Sequence, residues 1–285
     1  MIPKIAFFGT PDIAVYVLEE LERAGITPSL MVTNPDSPQG RKMLMTETPV
    51  AQFARARGIE MLKLETLKDP AVYEALRASG AELFIVAAYG KIIPKAILDL
   101  PKYGTLNMHP SLLPKLRGAS PIRSAILKNE YPTGVSVMVL TEGLDEGPVV
   151  AQEVASIEES EWPLAGRILD ERLARDGGTL LARILPEWIH GNITPTEQDQ
   201  RDATYSTKIT KEMAEINLAD DAEENLRKIR AFDGWPQAFF FHEKDGVRTR
   251  IKIIDAEIRD NALVLTRVIP EGKKEMAYED WVRNV

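Results

Sequence analysis

An asparagine and a histidine two positions apart are the residues of this chain best suited to chemistry. Asn107 and His109 end an apolar strand pattern, and residues 110–121, rich in Pro and Gly, follow them. In an extended strand, positions i and i+2 face the same side, so the amide and the imidazole would lie together. The amide can donate to a carbonyl oxygen that gains negative charge, and the imidazole can move a proton. Taken alone, a His before a Pro also fits a hydrogen-bonded strand end.

A carboxylate between two glycines is the third candidate. Asp145 lies in the loop that joins strand patterns at residues 133–140 and 149–157. An Asp in such a loop commonly bonds only to its own backbone. It also follows a strand end, where open α/β sheets place their functional groups. Within hydrogen-bond reach of His109, it would fix the imidazole tautomer and raise the pKa of His109 by charge attraction.

The elements that would position these residues alternate between strand and helix. Residues 4–8 are typical of a buried strand, and a Gly-containing turn follows them. Further strand patterns lie at residues 29–33, 61–64, 82–90 and 104–109, and helical patterns at 12–24, 50–57, 71–79, 92–98, 119–127 and 162–190. The alternation predicts an α/β fold with a doubly wound, mostly parallel sheet. The pattern at 162–190 is one helix or two, because Gly177 and Gly178 weaken its middle.

The first turn also gives evidence about function. It lacks the G-x-G-x-x-G pattern that lets a backbone approach a pyrophosphate,. The sequence therefore disfavours a dinucleotide-dependent oxidoreductase.

The composition changes after residue 190. Residues 191–204 have the polar composition of a linker,. A helical pattern at 222–232 is followed by short alternating segments at 238–242, 250–258 and 262–268, which predict a small β domain,. Trp235, beside Pro236, is expected to pack in the core of that domain. We therefore divide the chain into a first domain, a linker and a second domain, at residues 1–190, 191–204 and 205–285.

Composition excludes several classes of protein. The chain of 285 residues has no cysteine, which rules out disulfides and thiolate zinc, and its three histidines are not at metal-ligand spacing,. No apolar run reaches the roughly 18 residues of a membrane span, and the first strand begins almost at once,. We expect a metal-free, cytoplasmic protein with no membrane partner.

Charge limits the partners further. The net charge is −8, and residues 201–285 hold 15 Lys and Arg against 17 Asp and Glu. Contacts to nucleic acid would therefore have to come from local patches. Arg41 and Lys42, adjacent in the polar loop at residues 34–48, are either solvated or contact a partner,.

Taken together, the motifs resemble the 10-formyltetrahydrofolate-dependent formyltransferase family over almost the whole chain. The most specific match is N-x-H-P-S-L-L-P with R-G-A-x-P at residues 107–121. Residues 8–12, 88–94 and 143–147 resemble other loops of the family, and residues 203–209, 229–236 and 272–276 are similar to the linker and OB-like domain of the branch acting on methionyl-tRNA. The OB-like domain is expected to be shortened, because only a short turn joins residues 258 and 262.

The resemblance implies transfer of a formyl group from 10-formyltetrahydrofolate to the amino group of initiator methionyl-tRNA by a monomer. Asn107, His109 and Asp145 would be catalytic, without a metal. The implied contacts to the folate co-substrate are Ser111, Leu112, Leu113, Pro114, Tyr89, Gly90, Leu140 and Glu142. The implied tRNA contacts are Arg41, Lys42, Arg248, Arg250, Lys273 and Lys274. The Leu113–Pro114 bond is expected to be cis.

Two alternatives stay open. The acceptor could be an amino-sugar nucleotide or a purine precursor, in which case a free amino sugar would be formylated. The chain could also bind folate or RNA without catalysis, although the presence of Asn107, His109 and Asp145 together weighs against that.

Overall fold

The computed structural model describes residues 2–40 and 43–284, and these form two compact units. The first unit comprises the residues up to Ala119, Thr133–Ala155 and Glu171–Tyr205. The second comprises Ser120–Pro132, Ser156–Asp170 and the residues from Ser206 onward. The division at residues 190 and 205 stays a prediction. Arg41 and Lys42 lie outside the described residues.

A mostly parallel sheet forms the centre of the first unit, as predicted. The strands of this unit are β1 (Ile5–Phe8), β2 (Leu30–Thr33), β3 (Ser37–Gln39), β4 (Leu44–Thr46), β5 (Glu60–Lys63), β6 (Leu83–Val86), β7 (Thr105–His109), β8 (Arg117–Gly118), β9 (Gly134–Val139) and β10 (Val149–Val154). Seven of them form one sheet in the order β10-β9-β7-β6-β1-β2-β5. The pairs from β5 to β7 are parallel, whereas β9 and β10 are antiparallel additions at one edge.

Helices of the first unit pack on this sheet. The first six helices of the chain are α1 (Asp12–Arg23), α2 (Pro49–Arg57), α3 (Pro70–Ala78), α4 (Lys95–Leu98), α5 (Pro121–Leu127) and α6 (Gly166–Ile189). Of these, α5 and the first residues of α6 belong to the second unit. Strands β1 and β6 are buried along their whole length, so both faces of the sheet are covered there,. The register pairs Phe8 with Val86 and Val86 with Asn107, which brings the carboxyl ends of β1, β6 and β7 to one edge. Chemistry in open α/β sheets is found at this edge.

The first turn is tight because the chain packs closely there. A Cβ atom at Gly9 would lie 2.6 Å from the Cβ of Ala14 and 2.9 Å from the carbonyl oxygen of Ala87. Only glycine fits between these groups. The glycine is therefore explained by packing between β1 and α1.

Helix α6 is continuous through its two central glycines. A Cβ at Gly177 would lie 2.6 Å from the side chain of Met108, and one at Gly178 would lie 2.9 Å from the carbonyl oxygen of Val17. The glycines thus allow α6 to approach β7 and α1 closely, and of the two alternatives the single helix is correct. Met108 stands between Asn107 and His109, so this packing bears directly on the strand that carries both.

The polar loop at residues 34–48 contains the antiparallel pair β3–β4. Its two ends are held together at the base. The Lys63 ammonium group contacts Asp36 at 2.6 Å and Glu47 at 2.8 Å. The buried hydroxyls of Thr33 and Thr48 are 2.8 Å apart and share a hydrogen bond.

The second unit contains the predicted small β domain. Its remaining elements are β11 (Tyr205–Ser206, whose first residue belongs to the first unit), α7 (Ala222–Ala231), β12 (Phe239–Lys244), β13 (Val247–Arg259), β14 (Ala262–Pro270), β15 (Met276–Ala277) and α8 (Tyr278–Val282). The last four strands form one antiparallel sheet, and β13 joins β14 through Asp260 and Asn261. Both of these residues have positive φ, typical of a two-residue hairpin turn,.

Trp235 does not pack in the core of this unit. Its side chain is 56% exposed, whereas the neighbouring Pro236 is buried. The prediction for Trp235 is therefore wrong. The core beneath the sheet is filled instead by Phe240, Ile251, Trp281 and their neighbours. Among the described residues no helix combines the length and apolarity that crossing a membrane requires.

Candidate active site

Strand β7 ends with both predicted catalytic side chains buried. Asn107 is 8% exposed and His109 is 4% exposed. On the antiparallel side, Asn107 pairs with Met138 and His109 with Ser136. We find no hydrogen bond from the Asn107 amide to any other described residue, so its N–H groups remain available to a substrate.

A backbone carbonyl fixes the tautomer of His109. Its Nε2 atom lies 3.1 Å from the carbonyl oxygen of Leu116. A carbonyl oxygen only accepts, so Nε2 must carry a proton. In the neutral ring, Nδ1 is then the unprotonated nitrogen. Nδ1 lies 3.8 Å from Oδ2 of Asp145, which is longer than a hydrogen bond,. The expectation that Asp145 fixes the tautomer is therefore wrong.

Burial determines the charge of His109. Desolvation lowers the pKa of His109 below its ordinary value of 6.5, against the opposing effects of the Asp145 charge and the bond to Leu116. The predicted attraction by Asp145 is present, but burial outweighs it. The ring is consequently neutral at neutral pH, with a lone pair on Nδ1.

Asp145 is held by the segment that also holds His109. Its Oδ2 atom accepts a hydrogen bond from the Gly118 amide at 2.7 Å. Leu116 and Gly118 therefore bind the histidine and the carboxylate, respectively, from positions two residues apart. Asp145 has a φ of 50°, in the left-handed region that non-glycine residues rarely adopt,. The three predicted catalytic residues thus come from β7 and from the loop between β9 and β10.

The loop at residues 111–114 is held from β9 and β10. The buried Ser136 hydroxyl donates to the Ser111 carbonyl at 2.6 Å and accepts from the Leu113 amide at 3.0 Å. The Gln152 amide donates to the Leu113 carbonyl at 2.6 Å. The Leu113–Pro114 bond is cis, as predicted. Ser111 uses its own hydroxyl to bond the Lys115 carbonyl, which leaves its oxygen free only as an acceptor.

The other predicted folate contacts differ in exposure. Leu113 and Tyr89 are buried, Leu112, Pro114 and Leu140 are half-buried, and Gly90 and Glu142 are exposed. The Tyr89 ring packs edge-on against Phe8 in the core, and burial raises its pKa to about 12. Its side chain therefore belongs to the core, and what Tyr89 could offer a ligand is its backbone. The contact of all these residues with folate stays a prediction.

The described basic residues predicted to contact tRNA all lie in the second unit. The Arg248 guanidinium stands 3.7 Å from the centre of the Phe241 ring, and that of Arg250 stands 3.6 Å from the centre of Phe239. The strand register places these four residues on one face of the sheet,. Arg248 also contacts Glu215 at 3.4 Å. Lys273 and Lys274 are exposed in the turn before β15.

The residues that the sequence did not point to are mostly backbone groups and amides. Leu116 and Gly118 act through a carbonyl and an N–H, for which side-chain identity gives no signal. The segment predicted as a linker is bound to the first unit: Gln198 is buried, and Thr204 accepts from the amides of Leu116 and Arg117 at 2.9 Å. No sequence pattern indicated these contacts.

The site can stabilise a developing negative charge and move a proton. A donor amide at Asn107 and a basic Nδ1 at His109 face the same side of β7. The Asp145 carboxylate lies near Nδ1 of the His109 ring. Such a set suits acyl transfer to a neutral nucleophile. The described residues hold no cluster of three or more potential metal ligands.

Sequence comparison relates this chain to a known family. The family described as "Formyl transferase" matches residues 3–181, and its "Formyl transferase, C-terminal domain" matches residues 208–262. A methionyl-tRNA formyltransferase of Thermus thermophilus is 39% identical over 98% of this chain and 95% of its own length. One of Bacillus licheniformis is 37% identical over 98% of this chain and 94% of its own length.

Solved structures share the fold at lower identity. A methionyl-tRNA formyltransferase from Clostridium thermocellum has a TM-score of 0.62 and 18% identity, covering 94% of this chain and 98% of that one. A 4-N formyltransferase from Francisella tularensis has a TM-score of 0.65 and 16% identity, covering 86% and 95%. Proteins with different acceptors therefore share this architecture.

Proposed function

The chain belongs to the formyl transferase family, and from that membership we propose that it transfers a formyl group from 10-formyltetrahydrofolate to the amino group of initiator methionyl-tRNA. The observation that carries the acceptor is the sequence identity to relatives named for that reaction, which extends through the second unit. The fold alone does not select the acceptor, because sugar N-formyltransferases share it.

Bond formation begins with the neutral amine of the acceptor. Its nitrogen attacks the formyl carbon, and the electron pair of the C=O bond moves to the oxygen. The Asn107 amide donates to that oxyanion. One such donor typically contributes about 3–4 kcal/mol to the transition state. Because we find no described partner for this amide, no hydrogen bond to a described residue has to be broken first.

Proton transfer is the role of His109. Its neutral ring has a lone pair on Nδ1, which accepts the proton that the attacking amine must lose. The ring then carries a positive charge, and the Asp145 carboxylate 3.8 Å away stabilises it. When the bond from carbon to N10 breaks, the same proton passes from Nδ1 to N10. The ring returns to its neutral form, so each turnover consumes no proton.

The formyl donor would be held beside these groups by the loop at residues 111–114. Ser136 and Gln152 fix this loop through the backbone of Ser111 and Leu113. The half-buried Leu112, Pro114 and Leu140 offer apolar surface to a flat ring, and the exposed Gly90 leaves backbone accessible. These features support the pocket proposed for folate.

The RNA would be bound in part by cations of the second unit. The guanidinium groups of Arg248 and Arg250 lie over phenylalanine rings, and Lys273 and Lys274 are exposed. Guanidinium and ammonium groups contact phosphates locally, so they can bind RNA even though the chain has a net negative charge. A monomeric, cytoplasmic enzyme is part of the proposal, and light scattering of the purified protein tests the monomer.

The direct test is formyl transfer from 10-formyltetrahydrofolate to purified methionyl-tRNA, with an amino-sugar nucleotide and glycinamide ribonucleotide as competing acceptors. We expect the aminoacyl-tRNA to be formylated preferentially. His109→Ala should lower turnover by about 100-fold or more. Preference for the sugar nucleotide or the purine precursor would assign the acceptor to that class, and binding of folate or tRNA without any transfer would contradict catalysis.

A further inference from the structure

Gln198 uses every polar group of its side chain in hydrogen bonds to Asp145, Gly147 and Arg117. It is 8% exposed. Its Nε2 donates to the carbonyl oxygens of Asp145 at 2.9 Å and Gly147 at 2.7 Å. Its Oε1 accepts from Nε and Nη2 of Arg117 at 2.9 and 2.7 Å. An amide side chain offers two N–H donors and one oxygen, so this environment satisfies it fully.

Arg117 makes the amide a stronger donor. The Arg117 side chain is fully buried, and its guanidinium also donates to Oε1 of Gln200 at 2.7 Å. A positive charge on the oxygen side of an amide polarises it, which strengthens the hydrogen bonds that its N–H groups donate in a low-dielectric interior. The charge of Arg117 thereby acts through Gln198 on the loop of Asp145.

That loop needs external support. Asp145 has positive φ, a conformation that persists only where surrounding contacts impose it,. The two bonds from Gln198 bracket the loop from Asp145 to Gly147. On the other side, the Gly118 amide binds the Asp145 carboxylate. Gly118 directly follows Arg117, so one short segment binds the carboxylate while Gln198 binds the backbone of the same loop.

We propose that Gln198 is a positioning residue for the reaction: by binding the carbonyl groups of Asp145 and Gly147, it holds the Asp145 carboxylate between the Gly118 amide and the His109 ring. This inference rests on the formyl transfer proposed above. The competing explanation is that Gln198 serves only as the hydrogen-bond partner that buried Arg117 requires.

Gln198→Glu separates the two roles. A carboxylate still accepts both bonds from Arg117 and adds an ion pair, so the requirement of Arg117 remains satisfied. It has no N–H to donate, and it would place an oxygen against the carbonyl groups of Asp145 and Gly147. If Gln198 serves only Arg117, this variant keeps full activity. Glu197→Gln, at the exposed neighbouring position, is the matched control.

Two measurements on Gln198→Glu test the proposal. The first is hydrogen exchange at the Gly118 amide by NMR, which reports the bond to Asp145 without any substrate. We expect exchange in Gln198→Glu to be about tenfold faster or more, as for a locally opened loop. The second is steady-state kinetics. We expect kcat to fall about 10- to 100-fold with both Michaelis constants within about threefold, because positioning acts in the transition state.

Wild-type exchange at Gly118 together with wild-type kcat in Gln198→Glu would overturn the proposal. If that variant does not fold, Arg117→Met/Gln198→Met replaces the buried pair by apolar groups of similar size, and the same two readouts apply. An enzyme that formylates no acceptor would contradict the proposed function. The exchange comparison at Gly118 would still decide whether Gln198 holds the Asp145 loop.

Discussion

His109 and Asp145 face each other across 3.8 Å, from Nδ1 to Oδ2, without a hydrogen bond between them. The same imidazole donates from Nε2 to Leu116, and the same carboxylate accepts from Gly118. The backbone therefore orients both groups, and Asp145 influences His109 through its charge. This arrangement differs from a catalytic triad, in which the carboxylate bonds directly to the imidazole. It leaves Nδ1 free to accept a proton from a substrate.

The first prediction concerns Asp145→Asn. The Asp145 charge raises the pKa of His109, so its removal should lower that pKa further,. His109 must be neutral to accept a proton, so the acid limb of kcat/KM against pH should move to lower pH. We also expect kcat to fall about 10- to 100-fold, because the imidazolium loses its counter-charge. A pH–rate profile measures both effects, with Glu146→Gln in the same loop as control. An acid limb that moves to higher pH would contradict the assignment of His109 as base.

A second prediction concerns stability, and its sign follows from burial. The pKa of His109 is depressed in the folded protein, so the unfolded chain takes up this proton first as the pH falls. Stability should therefore decline below about pH 6.5 through this residue. His109→Asn lacks the titrating group. The contributions of all other titrating groups to the pH dependence of the unfolding free energy cancel when the variant is compared with wild type. Urea unfolding at pH 7.5 and pH 5 should show that the stability of wild type relative to the variant is lower at pH 5. A larger wild-type advantage at pH 5 would indicate a raised pKa.

Asn107→Ala provides the third prediction. The amide is placed to donate to the oxyanion, which exists only in the transition state and the tetrahedral intermediate. We expect kcat to fall about 100- to 1,000-fold, while the Michaelis constant for the formyl donor changes little. Asn192→Ala, an exposed residue bonded to Glu187, is a control for general effects of losing an asparagine amide. A raised Michaelis constant with unchanged kcat would instead make Asn107 a ground-state binding residue.

The sequence was sufficient to predict the fold of the first unit, because the sequence patterns that indicate this fold are local. Apolar runs such as residues 4–8 and 82–90 are long enough to predict buried parallel strands, and the two-residue spacing of Asn107 and His109 sets their common face,. The tautomer of His109 could not be predicted, because the carbonyl of Leu116 carries no side-chain signal.

Several features that the sequence left open, did not indicate or predicted wrongly appear only in the folded chain. Gly177 and Gly178 weaken a helix by propensity, yet here they allow α6 to approach Met108 and Val17,. Residues 191–204 have linker composition, yet Gln198 and Thr204 are bound to the first unit. Trp235 is apolar enough for a core position but is exposed. For the two glycines and for residues 191–204 the deciding neighbours are distant in sequence, so neither composition nor periodicity reveals them.

The last prediction tests the RNA surface of the second unit. Deleting residues 205–285 is a poor test, because the second unit also contains residues 120–132 and 156–170, which the truncated chain would leave without their partners. Point substitutions avoid this problem. We expect Arg248→Ala/Arg250→Ala to raise the Michaelis constant for tRNA about 3- to 10-fold and to leave that for the formyl donor unchanged.

The salt dependence gives this prediction a second readout. Each lost phosphate contact should reduce the slope of log affinity against log salt concentration by about 1. Arg259→Ala is the matched control, because Arg259 lies at the far end of β13, pairs with Glu257 and is exposed. An equal effect of Arg259→Ala would indicate that only the net charge matters. Unchanged tRNA kinetics in the folded double variant would remove Arg248 and Arg250 from the RNA surface, and the arginine–phenylalanine contacts would then serve the stability of the β12–β13 hairpin.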